Sequence, residues 1–165
     1  MSAGDVLLFA RKIDRHNFRR DPFGTLMCAL IHLTTRSKWN HAAILIDEDT
    51  YAEATDKGVV LTELGISSDE VLLVPVIYDD EEDRFTACNW AAARVGTRYG
   101  FWQAFMCGAN NLLVGLGLVI KRTDAVICSE MCAESLWRAG HPAMTKDPSL
   151  VSPGDLAEAL GVPRR

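Results

Sequence analysis

The sequence predicts an α+β fold in which an antiparallel sheet or small barrel packs against the helix that carries a cysteine. Two observations support this prediction. In the first half of the chain, short apolar segments follow one another with brief polar turns between them, which is typical of antiparallel strands. Near the C-terminal end, a Val-Ile pair runs directly into Cys128, and the apolar residues that follow it recur at helical spacing.

The composition is that of one globular domain covering residues 1–165, with 48% hydrophobic and 24% charged residues. A net charge of −5 and few interleaved aromatic residues argue against nucleic-acid binding. Five irregularly spaced cysteines argue against a disulfide framework and favour a reducing compartment. Residues 1–20 do not form a signal peptide and no clear transmembrane helix follows, so we expect a cytoplasmic protein. The cysteines other than Cys128 lie among apolar residues at helical spacing and are predicted to be buried, reduced and unreactive: Cys28, Cys88, Cys107 and Cys132.

Residues 4–10 predict a turn followed by a buried strand. A loop with five basic groups comes next, and it could meet phosphate or an anionic envelope, although a solvated loop is the commoner outcome. Asp21-Pro22 then predicts the start of a helix that runs to about Thr34, with the aspartate as N-cap and the proline as the first helical residue. The basic residues of the loop are Arg11, Lys12, Arg15, Arg19 and Arg20.

Residues 41–46 predict a strand that begins with histidine, and residues 51–54 predict the returning strand. With a three-residue loop between them, Glu53 becomes the diagonal neighbour of His41 on the same face of the hairpin. A change of one residue in the loop would put the two side chains on opposite faces. In the predicted register, the carboxylate can bond one ring nitrogen and leave the other free for a thiol.

Two further strands are predicted at residues 59–63 and 71–77, and Pro75 assigns the second of them to a sheet edge or a strand end. The acidic run 79–83 predicts the solvated first turn of a helix that continues towards Gly96, because the helix dipole favours acidic residues there. Its spacing does not fit a calcium-binding loop, which also needs a central glycine.

Residues 99–120 contain no charged side chain, and the nearest charged residues on either side are Arg98 and Lys121. Its length approaches that of a membrane span, but polar side chains interrupt the apolar run. A buried helical excursion is the favoured interpretation. The alternative is that residues 101–120 form a lid or a surface that contacts an envelope or membrane.

Cys128 is the leading candidate for a nucleophile. It is predicted in the first turn of a helix ending near Gly140, where unpaired N–H groups and the helix dipole lower the pKa of a thiol. A thiolate there could attack a carbonyl and use its own amide as an oxyanion donor. The alternative is a buried packing residue, the commoner fate of a free cysteine. A metal site of Cys128, Cys132 and His141 lacks a second close pair of ligands, so no metal is expected.

Six short motifs occur along the chain in a characteristic order. They are Gly4-Asp5-Val6, His41, Glu53-Ala54, Gly96-Thr97-Arg98-Tyr99, Cys128-Ser129-Glu130 and Ser152-Pro153-Gly154-Asp155-Leu156. Together these motifs resemble the circularly permuted branch of the NlpC/P60 superfamily, the YiiX/YebB-like and LRAT-like papain-fold proteins. In ordinary NlpC/P60 domains the cysteine helix precedes the histidine strand, whereas here the order is reversed, as in the permuted branch. The resemblance covers most of the chain apart from residues 11–20 and 101–122.

The resemblance implies an antiparallel sheet of six or a similar number of strands, with Cys128 as nucleophile, His41 as base and Glu53 as the residue that orients the histidine. Tyr99 is expected near the cysteine as a substrate-binding residue, and Trp39 is a second candidate for that role. The implied chemistry is cysteine acyl transfer without a cofactor, on a cell-wall peptide amide or, as in LRAT-like members, on a lipid acyl group. A non-catalytic binding module on the same fold is the remaining alternative. No oligomeric state is predicted.

Overall fold

The computed structural model describes residues 1–11, 13, 19, 22–65, 70–100 and 125–165. Within these residues the fold is α+β, as the sequence predicts. The elements in chain order are β1 (Val6–Ala10), α1 (Pro22–Thr35), β2 (His41–Leu45), β3 (Thr50–Thr55), β4 (Gly58–Glu63), β5 (Glu70–Val74), α2 (Glu81–Ala92), α3 (Cys128–Arg138), a 3₁₀ helix (Pro148–Leu150) and α4 (Pro153–Ala159).

The strands of the described residues form one open antiparallel sheet in the order β4-β3-β2-β1-β5. Within the described residues the sheet has five strands, which agrees with the expected six or a similar number, and β4 and β5 lie at its edges instead of closing a barrel. β5 ends at Val74, directly before Pro75. This agrees with the prediction of an edge or a strand end, because proline cannot donate a hydrogen bond to the ladder.

The β2–β3 hairpin has the predicted register. Ala43 pairs with Glu53 across the two strands, and the amide of Ile46 donates to the carbonyl of Thr50 at 2.8 Å. The connecting turn therefore has three residues. With this register Glu53 and His41 are diagonal neighbours on the same face of the hairpin, as predicted.

Helix α3 packs against one face of the sheet, and small residues on the strands allow a close approach. Ala42, Ala52 and Ala54 are buried in the same apolar cluster as Met131 and Leu136 of α3. Full burial of a side chain as large as Met131 or Leu136 contributes about 1.5–3 kcal/mol. The cysteine helix is thus fixed on the strands that carry the histidine and the glutamate.

Helix α2 begins where the acidic run predicts it. The side chain of Asp80 accepts a hydrogen bond from the amide of Asp83 at 2.9 Å and caps the helix. All three residues of the run that follow the cap lie in the first turn, where the helix dipole favours negative charge. On its other side, α2 buries Ala87 and Ala91 in the core shared with α3.

Three of the four cysteines predicted as packing residues, Cys28, Cys88 and Cys132, are buried and form no disulfide, as predicted, whereas their lack of reactivity stays a prediction. Cys107 lies outside the described residues. So do Asp21, predicted as the N-cap of α1, and residues 101–120, predicted as a buried helical excursion or a membrane-facing surface. In the part of the chain that is described, no helix combines the length and the apolar character needed to cross a bilayer.

Gly58 allows the β3–β4 hairpin to lie against the segment that leads to Tyr99. Its φ is +102°, and a Cβ atom there would come within 2.5 Å of the Thr97 carbonyl oxygen. The same oxygen accepts a hydrogen bond from the amide of Val59 at 2.9 Å. A side chain at position 58 would therefore strain the backbone and also separate these two segments.

A left-handed backbone costs an ordinary residue about 1–2 kcal/mol. We expect Gly58→Ala to lower the free energy of unfolding by more than this amount. Gly161→Ala is the matched control, because its φ is +76° and a Cβ atom would meet nothing within 4 Å. Urea unfolding of both variants measures the difference. Equal losses in the two variants would mean that the contact with Thr97 relaxes without cost.

Candidate active site

Cys128 is the first residue of α3, as predicted. Ile127 before it is extended, with φ −102° and ψ 161°, so the helix begins abruptly at the cysteine. The helix ends at Arg138 and is followed by Gly140 with φ +70°, which agrees with the predicted end. Because the N–H groups of a first helical turn have no acceptor within the helix, the sulfur lies at a site that favours negative charge.

Two side chains of the first turn hold Cys128 in place. The hydroxyl of Ser129 donates to the carbonyl of Val151 at 2.7 Å and ties the helix to the residues before α4. The carboxylate of Glu130 accepts a hydrogen bond from the amide of Ile127 at 3.4 Å and caps the helix start. The three residues of the Cys-Ser-Glu motif thus provide the thiol, an anchor and a cap.

His41 is the first residue of β2, and its neighbours fix both its backbone and its ring. The side chain of Asn40 accepts from the amide of Arg11 and donates to the carbonyl of Arg11, both at 3.0 Å. The amide of Asn40 donates to the carbonyl of Phe9, also at 3.0 Å. The imidazole lies against the ring of Phe9, with centroids 5.3 Å apart. These contacts leave the histidine little freedom to turn away.

The imidazole of His41 contacts both other members of the predicted triad. Its Nε2 atom is 2.8 Å from Oε2 of Glu53. The ring and the thiol of Cys128 also lie close enough for each to shift the pKa of the other, and Nδ1 is the ring nitrogen that Glu53 does not engage. The backbone amides of Ala42 and Ser129 also lower the pKa of the Cys128 thiol. The structure therefore brings Cys128, His41 and Glu53 together as the sequence predicts.

Glu53 uses both carboxylate oxygens. While Oε2 bonds His41, Oε1 accepts a hydrogen bond from the hydroxyl of Thr62 at 2.7 Å. Thr62 lies on β4, and the pairing of Glu53 with Val60 makes it a diagonal neighbour on the same face. The hydrogen bond from Thr62 holds Oε1 in place and thereby keeps Oε2 directed at the imidazole of His41.

The charges of the site stabilise one another. Burial alone lowers the pKa of His41, but the negative sulfur of Cys128 and the carboxylate of Glu53 raise it to about 10. Burial raises the pKa of Cys128, yet the imidazolium and the two amides outweigh this and hold the thiol pKa below its ordinary value. Burial also raises the pKa of Glu53, and the bond with His41 brings it below the usual value. These shifts therefore favour a thiolate–imidazolium pair beside a carboxylate over the neutral thiol and imidazole.

Cys132 lies one helical turn after Cys128 and behaves differently. Its side chain is fully buried, and burial together with the nearby charge of Cys128 raises its thiol pKa well above the ordinary value. It therefore stays a neutral thiol while Cys128 ionises. Within the described residues, no group of three or more metal-ligating side chains is close enough to hold an ion.

Tyr99 is placed beside the cysteine helix by its backbone. It forms an isolated parallel bridge with Val126, two residues before Cys128. The amide of Gly100 donates to the Val126 carbonyl at 3.0 Å, and the Val126 amide donates to the Arg98 carbonyl at 3.1 Å. This agrees with the expected position of Tyr99 near the cysteine, whereas its contact with a substrate stays a prediction.

Trp39 does not fit the role predicted for it. Its side chain is 2% exposed, and its indole N–H donates to the carbonyl of Pro163 at 2.9 Å. The ammonium of Lys38 covers the ring from outside, 4.4 Å from its centroid. A side chain enclosed in this way cannot contact substrate directly. Trp39 instead anchors the segment before His41 to the end of the chain.

Two functional residues are missing from the sequence prediction. Thr62 could have been found by extending the strand register through the turn before Gly58, because the same diagonal rule that pairs Glu53 with His41 also selects Thr62. Asn40 carries no such signal, since its partner Arg11 is 29 residues away along the chain.

Comparison with known proteins assigns no family to this chain: no protein-family model matches it, and no curated protein sequence matches it. The chemistry of the site therefore has to be inferred from its own geometry.

The thiol–imidazole pair predicts a distinctive pH profile for alkylation by iodoacetamide. Cys128 has a lowered pKa, so its reaction should remain fast at mildly acidic pH, where an ordinary thiol is protonated. Cys132 should stay unmodified in the folded protein, because it is fully buried and its pKa is raised. Peptide mass mapping after timed alkylation distinguishes the two thiols. A Cys128 profile that rises only near the ordinary thiol pKa would contradict the ion pair.

Glu53→Gln should move that profile in a defined direction. The amide keeps a hydrogen-bonding group but removes the charge that stabilises the imidazolium, so the pKa of His41 falls and the pKa of Cys128 rises. Alkylation at mildly acidic pH should slow by about tenfold or more, since a hydrogen bond to a charged group is worth about 1.5–3 kcal/mol. Glu63→Gln is the control, because Glu63 is an exposed residue of the adjacent strand. The same profile in wild type and Glu53→Gln would leave Glu53 without a role in orienting His41.

Proposed function

We propose that this protein is a cysteine-dependent acyl-transfer enzyme, a hydrolase or acyltransferase that cleaves an amide bond of a peptide substrate. The observation that carries the proposal is the imidazole of His41, which bonds the carboxylate of Glu53 through Nε2 and lies close enough to the thiol of Cys128 for the two groups to shift each other's pKa. A nucleophile, a base and an orienting group in this order are what cysteine acyl transfer needs.

In the first half of the reaction, the thiolate of Cys128 attacks the carbonyl carbon and forms a C–S bond. The carbonyl oxygen becomes an oxyanion, and the amide of Cys128 is a donor at the helix start where such a charge is stabilised. As the tetrahedral intermediate collapses, the imidazolium of His41 gives its Nδ1 proton to the departing amine. The products of this half are a thioester on Cys128 and a neutral imidazole.

In the second half, the neutral imidazole of His41 takes a proton from water or from another acceptor. The resulting nucleophile attacks the thioester, the C–S bond breaks, and the acid or the transferred acyl product leaves. Cys128 returns as a thiolate beside the imidazolium. Glu53 stays ionised throughout, and it orients the ring and stabilises its positive charge in both halves.

The energetics of the site support an enzyme over a binding module. Cys128 is 3% exposed, and placing a thiolate and an imidazolium at such a position costs desolvation free energy that a hydrophobic pair would not require. Buried charge pairs therefore contribute little to stability by themselves, and pKa values shifted in opposite directions are concentrated at catalytic sites. A module that only binds ligands would have no need for this arrangement.

The order of the elements supports a permuted papain-like fold of the NlpC/P60 type as the finer classification. The histidine strand and its partners precede the cysteine helix, and two of the flanking motifs have structural roles at the ends of this core. Asp5 is buried and accepts from the amides of Ser2 and Val76. Ser152 and Asp155 cap α4 reciprocally. This classification favours cell-wall-type peptides as the substrate class.

The direct test is to trap the acyl-enzyme. We expect incubation with peptidoglycan-derived peptides to give an intact-mass increase that maps to Cys128 and decays as product forms. Cys128→Ala should abolish the adduct, and His41→Gln should slow its formation by about 10³-fold or more, as when a member of a catalytic triad is removed. Cys132→Ala, one turn away, should keep the adduct.

A parallel panel of acyl lipids identifies the alternative substrate class. An adduct on Cys128 from an acyl lipid but from no peptide would contradict the peptide substrate and keep the acyl-transfer chemistry. No adduct from either class, together with alkylation of Cys128 at the rate of an ordinary thiol, would contradict the enzyme itself and favour a binding module.

A further inference from the structure

Helix α1 leaves two of its leucines exposed to solvent. Thr25 and Thr35 are buried, whereas Leu26 is 60% exposed and Leu33 is 71% exposed. The two leucines are seven residues apart, so they lie two turns from each other on one face of the helix. Leu30 lies between them and is half-buried. A single exposed leucine needs no explanation, but an apolar stripe of Leu26, Leu30 and Leu33 along one face indicates a partner.

The charge around this stripe is strongly positive. Residues 11–40 contain seven basic and two acidic residues, although the whole chain has a net charge of −5. No acidic residue occurs from position 22 to position 46. Arg19 before the helix and Arg36 after it are both exposed, so a cation lies beyond each end of α1. The φ of Arg36 is +53°, and the chain leaves the helix there.

We propose that α1 docks on the surface of an anionic lipid bilayer, with Leu26 and Leu33 in the acyl-chain boundary and Arg19 and Arg36 at the lipid phosphates. Apolar side chains flanked by cations match the order of such a surface, where phosphates lie above acyl chains. The helix has 14 residues. It is about 21 Å long, which is too short to cross the hydrocarbon core, so it lies in the plane of the interface.

The distribution of charge also selects the orientation. Outside residues 11–40 the chain has an excess of acidic residues, which an anionic surface repels. An anionic surface therefore favours contact through residues 11–40 over contact through the rest of the chain. A protein interface is the alternative occupant, and the experiments below distinguish the two.

Docking through α1 would also affect where the candidate active site lies. The helix is connected to His41 by five residues, 36–40. This connection is tied back to the helix, because the imidazole of His32 hydrogen-bonds the carbonyl of Ser37 at 2.7 Å. The proposal does not depend on the chemistry of Cys128, since binding to a bilayer requires only the surface of α1.

Vesicle flotation of the full chain tests the proposal. We expect the protein to float with vesicles of phosphatidylcholine and phosphatidylglycerol, and to stay behind with vesicles of phosphatidylcholine alone. Leu26→Ser and Leu33→Ser should each weaken binding by about tenfold, the effect of losing one buried leucine. Arg36→Ser should weaken it by about fivefold, and added salt should weaken it further.

Matched controls distinguish docking through this surface from non-specific adsorption to vesicles. Ile77→Ser removes an apolar side chain that is 84% exposed elsewhere, and it should leave binding unchanged. Cys128→Ala should also bind as wild type does, which keeps this test separate from that of the proposed function. Because Leu26 and Leu33 are exposed, their serine variants should keep the wild-type circular dichroism and melting temperature.

Three results would overturn the proposal. The first is flotation that is equal, or equally absent, with neutral and anionic vesicles. The second is binding to anionic vesicles that the arginine variant weakens and the leucine variants do not, which is adsorption without insertion. The third is a dimer of the full chain, seen by analytical ultracentrifugation, that Leu26→Ser and Leu33→Ser dissociate while flotation is absent. In that case the stripe is an interface between copies.

Discussion

The contact between His41 and Cys128 is the interaction on which the rest of the site depends. It joins the first residue of a strand to the first residue of a helix that follows 87 positions later in the chain. In the ion pair both groups are charged, and burying either charge without the other would cost a large desolvation free energy. Glu53 makes the imidazolium stable, and the amides of Ala42 and Ser129 do the same for the thiolate. Removing His41 would leave the buried sulfur of Cys128 without the charge that does most to lower its pKa.

The fold stabilises this contact by fixing each partner independently. The three-residue turn of the β2–β3 hairpin decides that the carboxylate and the imidazole share a face, since a shift of one residue would reverse it. Asn40 fixes the start of the histidine strand on the first strand. Ser129 anchors the cysteine helix to the carbonyl of Val151. Neither anchor touches the reacting atoms, yet each limits how far thiol and imidazole can separate.

The two proposals concern different parts of the molecule but meet at one segment. The acyl-transfer chemistry depends on a pair of charges shielded from water, whereas docking depends on leucines exposed to it. Residues 36–40 connect the two, because they leave α1 and enter β2 at His41. A chain that docks through α1 would hold the start of the histidine strand close to the bilayer surface, which gives the candidate site a fixed position relative to that surface.

The sequence alone determined those features that depend on near neighbours along the chain. The cysteine at a helix start, the acidic cap of α2, the end of β5 before Pro75 and the diagonal of His41 and Glu53 all follow from spacing, capping and turn length over a few residues. The triad could be predicted because its least certain distance, that between His41 and Glu53, depends only on the length of the β2–β3 turn. The tertiary structure alone decided how distant segments meet. Trp39 is closed in by Pro163, and the outer face of α1 keeps its leucines in solvent. A periodic pattern shows that a side chain is apolar, but only the packing of remote segments decides whether anything covers it.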